Sequence, residues 1–160
     1  MNYTNDVPNL EQVDPGVWRS GEPKSAAGWA YIKSLGIKKV IKLNYDSEGT
    51  DQAAIDAGLE VITLTIPPKN DLVSTLEIPD SSTIQKAVEL LGQGNGVLVH
   101  CTHGQDRTGL VIGVYRVAND GWTKDAAWTE MVNHNFHQEL LGLMRFWHRF
   151  DGKFPVVDSD

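Results

Sequence analysis

A helix with almost no polar face has to lie inside a protein, and this chain contains one. From Thr108 to Ala118 the positions Leu110, Val111, Ile112, Val114, Tyr115 and Val117 are apolar, so the helix predicted there is buried nearly all round. Immediately before it, Val97 to His100 is a short apolar run that reads as a central strand. A central strand leading into an interior helix belongs to a layered domain.

The remaining pattern agrees. Ser25 to Leu35 carries Trp29, Ile32 and Leu35 near helical spacing and stops at Gly36. Ile37 to Leu43, with Val40, Ile41 and Leu43, reads as a buried strand followed by the polar, turn-forming stretch Asn44 to Thr50. A short helix, Asp51 to Ala57, ends at Gly58, and a strand follows in which Ile62, Leu64 and Ile66 alternate with Thr63 and Thr65. Asp80 or Ser81 caps a helix with Ile84, Val88 and Leu91 on one face, and Thr123 caps another with Trp128, Met131 and Val132. A last helix is expected from about His137 to Phe150. Alternating helices and strands with compact connections predict an α/β fold: one domain over residues 1–160 with a largely parallel central sheet flanked by helices.

Composition narrows the partners. Fourteen Lys and Arg against 21 Asp and Glu leave a net charge of −7, which weighs against a nucleic-acid partner. No apolar run approaches the roughly 18 residues of a membrane span. The start MNYTNDVPNL has neither the basic nor the apolar part of a secretory leader, so a cytoplasmic location is expected, although a mature chain trimmed of its leader would read the same. A monomer is expected. Cys101 is the only cysteine, which excludes an intrachain disulfide, a dithiol pair and a multi-cysteine zinc site. His134 and His137 lack a third ligand at close spacing and read as surface residues, so neither metal nor cofactor is expected.

The chemistry concentrates in HCTHGQDRTG, His100 to Gly109, which joins the central strand to the buried helix. A strand-to-helix loop aims backbone amides and the positive end of the helix dipole at one spot, an anion site made from main chain. A cysteine at the start of that loop shares the field, which favours thiolate over thiol. Arg107 can offer a planar fork to two phosphate oxygens. The Thr108 hydroxyl is placed to bond the cysteine sulfur, and Gly104 and Gly109 are read as supplying the positive dihedral and close approach of a tight loop.

Histidine, cysteine, five residues, arginine and then a hydroxyl residue resembles the signature of the protein tyrosine and dual-specificity phosphatase superfamily. VDPGVWRSGEP (Val13 to Pro23), GVLVHC and GWTKDAAWTEM extend the likeness to bacterial atypical dual-specificity phosphatases over roughly the whole chain. The resemblance implies that Cys101 is the nucleophile and that Thr102, His103, Gly104, Gln105, Asp106 and Arg107 cradle phosphate. It also implies that His100 steadies the loop from behind instead of acting as a base. His103 has two readings, a substrate contact or a solvated side chain. The family's proton donor is an aspartate about thirty residues before the cysteine, which lands on Asp71 in PPKNDLVS, a setting suited to a mobile loop. Asp106 remains a rival, because an aspartate directly before the arginine also resembles the myotubularin-like inositol lipid phosphatases. Asp80 is better explained as a helix cap.

The implied reaction is hydrolysis of a phosphate monoester through a phosphocysteine intermediate. A phosphorylated protein, phosphotyrosine above all, is the favoured substrate, because the loop has no lysine and the chain is acidic. An inositol polyphosphate or phosphoinositide is the alternative, on the likeness to cysteine-dependent phytases. Lys24 and Lys69 are candidates for the pocket rim, with solvated charge the plainer reading. A non-catalytic phosphoprotein-binding module would more naturally carry a damaged loop.

Overall fold

The computed structural model describes residues 6–69 and 71–156. Five strands, β1 (Glu11–Asp14), β2 (Val17–Ser20), β3 (Lys39–Lys42), β4 (Glu60–Thr63) and β5 (Val97–His100), form one sheet in the order β1-β2-β5-β3-β4. Only β1 and β2 pair antiparallel; the other pairings are parallel. β5 is therefore central, and all four of its residues are buried, as suits a strand covered on both faces.

Among the described residues six helices cover the sheet: α1 (Ala26–Ser34), α2 (Gln52–Asp56), α3 (Ser81–Gly92), α4 (Arg107–Ala118), α5 (Lys124–Asn133) and α6 (Leu141–Arg149). The alternation of side chains along a strand divides the core in two. Val97, Val99 and Ile41 face a large cluster built with α3 to α6, whereas Leu98 and Val40 face Trp29, Ile32 and Ala54 of α1 and α2. Two caps are those expected, Asp80 accepting from the Thr83 amide and Thr123 from that of Ala126, and Ser25 adds a third by accepting from Gly28. α4 is buried from Arg107 through Arg116, and Arg116 is held there by Asp14, Asp120 and Glu130 at 3.1, 3.1 and 2.9 Å.

Three features depart from the sequence reading. The β1–β2 hairpin has no alternating pattern to announce it; its place is set by pairing with β5 and by Gly16, at φ 75°, where a Cβ would lie 1.8 Å from the Gly94 carbonyl oxygen. β4 begins at Glu60, opposite Lys39, so the expected strand Ile62 to Ile66 is displaced toward its start, and Leu64 and Ile66 bond the Lys42 and Leu43 carbonyls beyond the strand end. The last helix starts at Leu141 instead of His137, whose amide is donated to Asp106 Oδ1 at 2.7 Å.

Candidate active site

Strands β2, β3 and β5 run parallel and end in register at Ser20, Lys42 and His100. The crevice beyond the carboxyl ends of such strands is where α/β sheets bind ligands, and the loop from Cys101 to the start of α4 fills it. The loop is pinned from the amino-terminal side. Asn9 Nδ2 donates to the His103 carbonyl at 2.7 Å, Arg19 Nη2 to that of Gly104 at 3.0 Å, and the Glu22 amide to that of Thr102 at 2.9 Å. Gly104 sits at φ 75°, and a Cβ on it would lie 2.6 Å from the Gly21 nitrogen, so the glycine expected from sequence is required. Gly109 corrects that expectation: the nearest atom to a Cβ there is 3.5 Å away on Phe136, ordinary contact at an ordinary helical position.

Cys101 is buried, beneath the loop and not on the cavity wall. Two guanidinium groups lie within electrostatic reach of its sulfur, Arg107 and Arg19. Burial is the largest influence on both arginines and lowers Arg19; at Arg107 the hydrogen bonds and charge of Glu48, with Cys101 and Tyr45 adding to them, together outweigh it and hold the group up.

Arg107 is already engaged. Its Nη1 donates to Glu48 Oε2 at 3.0 Å and to the Pro68 carbonyl at 3.1 Å, and its Nη2 to Glu48 Oε1 at 2.7 Å and to Thr102 Oγ1 at 3.2 Å. Thr102 also donates to Glu48 Oε1, at 2.6 Å. Burial works against the Glu48 carboxylate, yet the bonds from Arg107, Thr102 and the Tyr45 amide pull its pKa down to about 2. In this structure Glu48 thus occupies both Nη atoms of the planar fork that was expected to serve two phosphate oxygens. Thr108 departs as well, because its Oγ1 is buried without a hydrogen-bond partner among the described residues, so the expected bond to the cysteine sulfur is not made.

Above the loop lies a cavity of about 750 Å³. Thr102, His103, Asp106 and Arg107 form its floor, and Glu48, Pro68, Lys69, Asp71, Leu72 and Leu140 form its walls. Asp71 thus faces the site, and its Oδ1 accepts from the Ser74 amide of a short 3-10 turn (Val73–Leu76) at 2.8 Å, which lowers its pKa. That turn is pressed against α6, where a Cβ on Gly142 would lie 1.8 Å from the Glu77 carbonyl oxygen. Asp106 caps nothing; both its oxygens bond His137 Nδ1, at 2.9 and 3.1 Å, and that bond raises the imidazole's pKa. His134 is separately paired with Glu11 at 2.7 Å. Lys69 stands over the Tyr45 ring at the cavity, whereas Lys24 lines a different hollow, and Gln105 lies outside the cavity wall.

Behind the loop, His100 is fully buried with Nε2 2.5 Å from Asp51 Oδ2 and Nδ1 3.2 Å from the Cys101 carbonyl oxygen. Glu22 lies beside them, its Oε2 3.9 Å from Nδ1. Burial, with the Asp51 carboxylate adding to it and His100 opposing, pushes Glu22 up to about 7. Arg19 and Glu22 come from one short stretch and Glu48 and Asp51 from another, and none was singled out for a role. Arg19 in the otherwise uncharged VWRS and Asp51 after a turn-forming stretch were the available signals.

The tyrosine phosphatase family model matches residues 7–159. The dual specificity protein phosphatase TpbA of Pseudomonas aeruginosa is 34% identical over 131 residues, 82% of this chain and 56% of that protein. The chain thus spans little more than half the length of that relative. An inositol diphosphatase of Arabidopsis thaliana is 27% identical over 147 residues, 89% of this chain and 72% of its own. The TpbA crystal structure superposes with a TM-score of 0.74 at 25% identity, covering 91% of this chain and 86% of that one. The signature loop, the sheet order around it and these likenesses agree that the chain belongs to the tyrosine phosphatase family.

Proposed function

We propose that the chain hydrolyses phosphate monoesters on protein side chains, phosphotyrosine above all, through a phosphocysteine intermediate. The observation that carries this is Cys101 directly after the central strand, in the loop that starts the buried helix, with two guanidinium groups in electrostatic reach of it. The Cys101 thiolate attacks phosphorus, the bond to the ester oxygen breaks, and Asp71 gives that oxygen its proton. Water then attacks the phosphocysteine with the Asp71 carboxylate taking its proton, which releases phosphate and regenerates the thiolate. Arg107 and the loop amides balance charge on the equatorial oxygens in both steps.

The choice of substrate rests on the cavity wall. Its permanent cations, Arg107 and Lys69, face three carboxylates, Glu48, Asp71 and Asp106, a poor match for a ligand carrying many phosphates. The wall also carries apolar side chains, Pro68, Leu140 and Leu72, the last 85% exposed, which suits a phosphate borne on a peptide. TpbA has also been solved in complex with phosphotyrosine. The inositol phosphate reading is supported by the likeness to plant inositol diphosphatases. No helix among the described residues is long and apolar enough to cross a membrane.

Phosphate release from phosphotyrosine peptides and from inositol hexakisphosphate, measured with a chelator present, tests both readings. Turnover of the peptides, absent in Cys101→Ser although that variant still binds them, is the expected result. Preference for the inositol phosphate overturns the substrate reading, and full activity of Cys101→Ser overturns the mechanism.

A further inference from the structure

The trio behind the loop lies outside the reaction just described, and its geometry is specific. The Cys101 carbonyl oxygen can only accept a hydrogen bond, and Asp51 accepts when ionised; His100 faces the first with Nδ1 at 3.2 Å and the second with Nε2 at 2.5 Å. A ring that donates from both nitrogens is an imidazolium. Its edge packs against Trp29, centroids 5.9 Å apart at 72°, so the ring is fixed as well as bonded. The Asp51 side chain is 1% exposed. Burial alone would raise its pKa, but the bond and charge of His100, with Glu22 and Lys42 contributing, hold it down.

We propose that Asp51 is a positioning residue for the phosphatase reaction: it holds His100 as an imidazolium, which fixes the Cys101 carbonyl and places a positive charge behind the nucleophile. The proposal rests on the cysteine-phosphatase reading. A divalent cation is a weaker occupant for the three side chains, because it would need the Nε2 position that Asp51 already binds through a proton at 2.5 Å. The brace reaches the front of the loop too. Glu22 Oε1 accepts from Asn44 Nδ2 at 3.2 Å, Asn44 stands 3.5 Å from Thr102 Oγ1, and Thr102 bonds Glu48. A Cβ on Gly49, next to Glu48, would lie 2.3 Å from Glu22 Oε1, so this carboxyl also seats the stretch that carries Glu48. The charged groups facing the trio are Lys42 on β3, whose Nζ donates to the Asn44 carbonyl at 2.6 Å, and Lys24 in the neighbouring hollow.

The test uses Asp51→Asn, with Asp51→Glu as the conservative partner, and reads Cys101 alkylation by iodoacetamide beside kcat and KM for para-nitrophenyl phosphate. Loss of the charge behind the sulfur is expected to slow alkylation at about pH 6 by about 10-fold or more, with recovery in alkali. kcat/KM should fall in step, its pH profile moving upward, and Asp51→Glu should restore part of both. Nitrogen NMR of the wild-type protein is independent of any variant and should find both His100 ring nitrogens protonated at about pH 7. A neutral His100, or an Asp51→Asn protein alkylated like wild type, overturns the proposal. An inert wild-type enzyme that nonetheless shows the His100 imidazolium would instead overturn the phosphatase reading.

Discussion

Replacing Glu48 with glutamine removes one negative charge from the end of Arg107 while keeping the side chain's length and one acceptor. Ionisation near 2 instead of 4.5 means that the fold favours the carboxylate over the acid by ~3 kcal/mol, at ~1.4 kcal/mol per factor of ten. Glu48 is 12% exposed, but it borders an open cavity, so screening by solvent reduces the expected loss of stability to ~1–2 kcal/mol. The folded-state value lies below the unfolded one, so this contribution is present above about pH 4.5 and is lost as the pH falls through about 2. Urea unfolding of both proteins should show a gap of that size, constant between about pH 7 and pH 5 and narrowing in more acid solution. Equal stability at neutral pH, or a gap that persists unchanged into acid, refutes the assignment of Glu48 as the partner that neutralises Arg107.

Glu22 should show the opposite sign. Its folded value, about 7, lies above its unfolded value of 4.5, so wild type loses stability as the pH rises between them, and Glu22→Gln should gain on wild type by ~1–3 kcal/mol over that interval in the same unfolding series. His137 should titrate above 6.5 by NMR because Asp106 holds its proton, and Asp106→Asn should return it toward that value. Gly104→Ala, forced to φ 75° against Ser20 and Gly21, should cost at least about 2 kcal/mol and most of the turnover, readable by thermal melting and a phosphate-release assay. Asp71→Asn should lower kcat by about 10²- to 10⁴-fold; a much larger loss from Asp106→Asn would move the general acid to Asp106.

The candidate site was legible where it is local. Strand, loop and interior helix are contiguous in sequence, and Cys101, Gly104, Arg107 and the helix start take their places from that one run because a strand-to-helix connection converges its amides whatever surrounds it. Periodicity and caps likewise fixed α1, α3 and α5, since those signals act over a few residues. The β1–β2 hairpin and the partners of the loop were decided in three dimensions. Glu48 lies 59 positions from Arg107, and Asp51 lies 49 from His100. Only the sheet order, which sets β2 and β3 on either side of β5, brings those carboxylates to Arg107 and His100. A charge in a polar stretch looks the same in sequence whether it ends in water or on a buried arginine. Burial makes the difference, and burial belongs to the packed molecule.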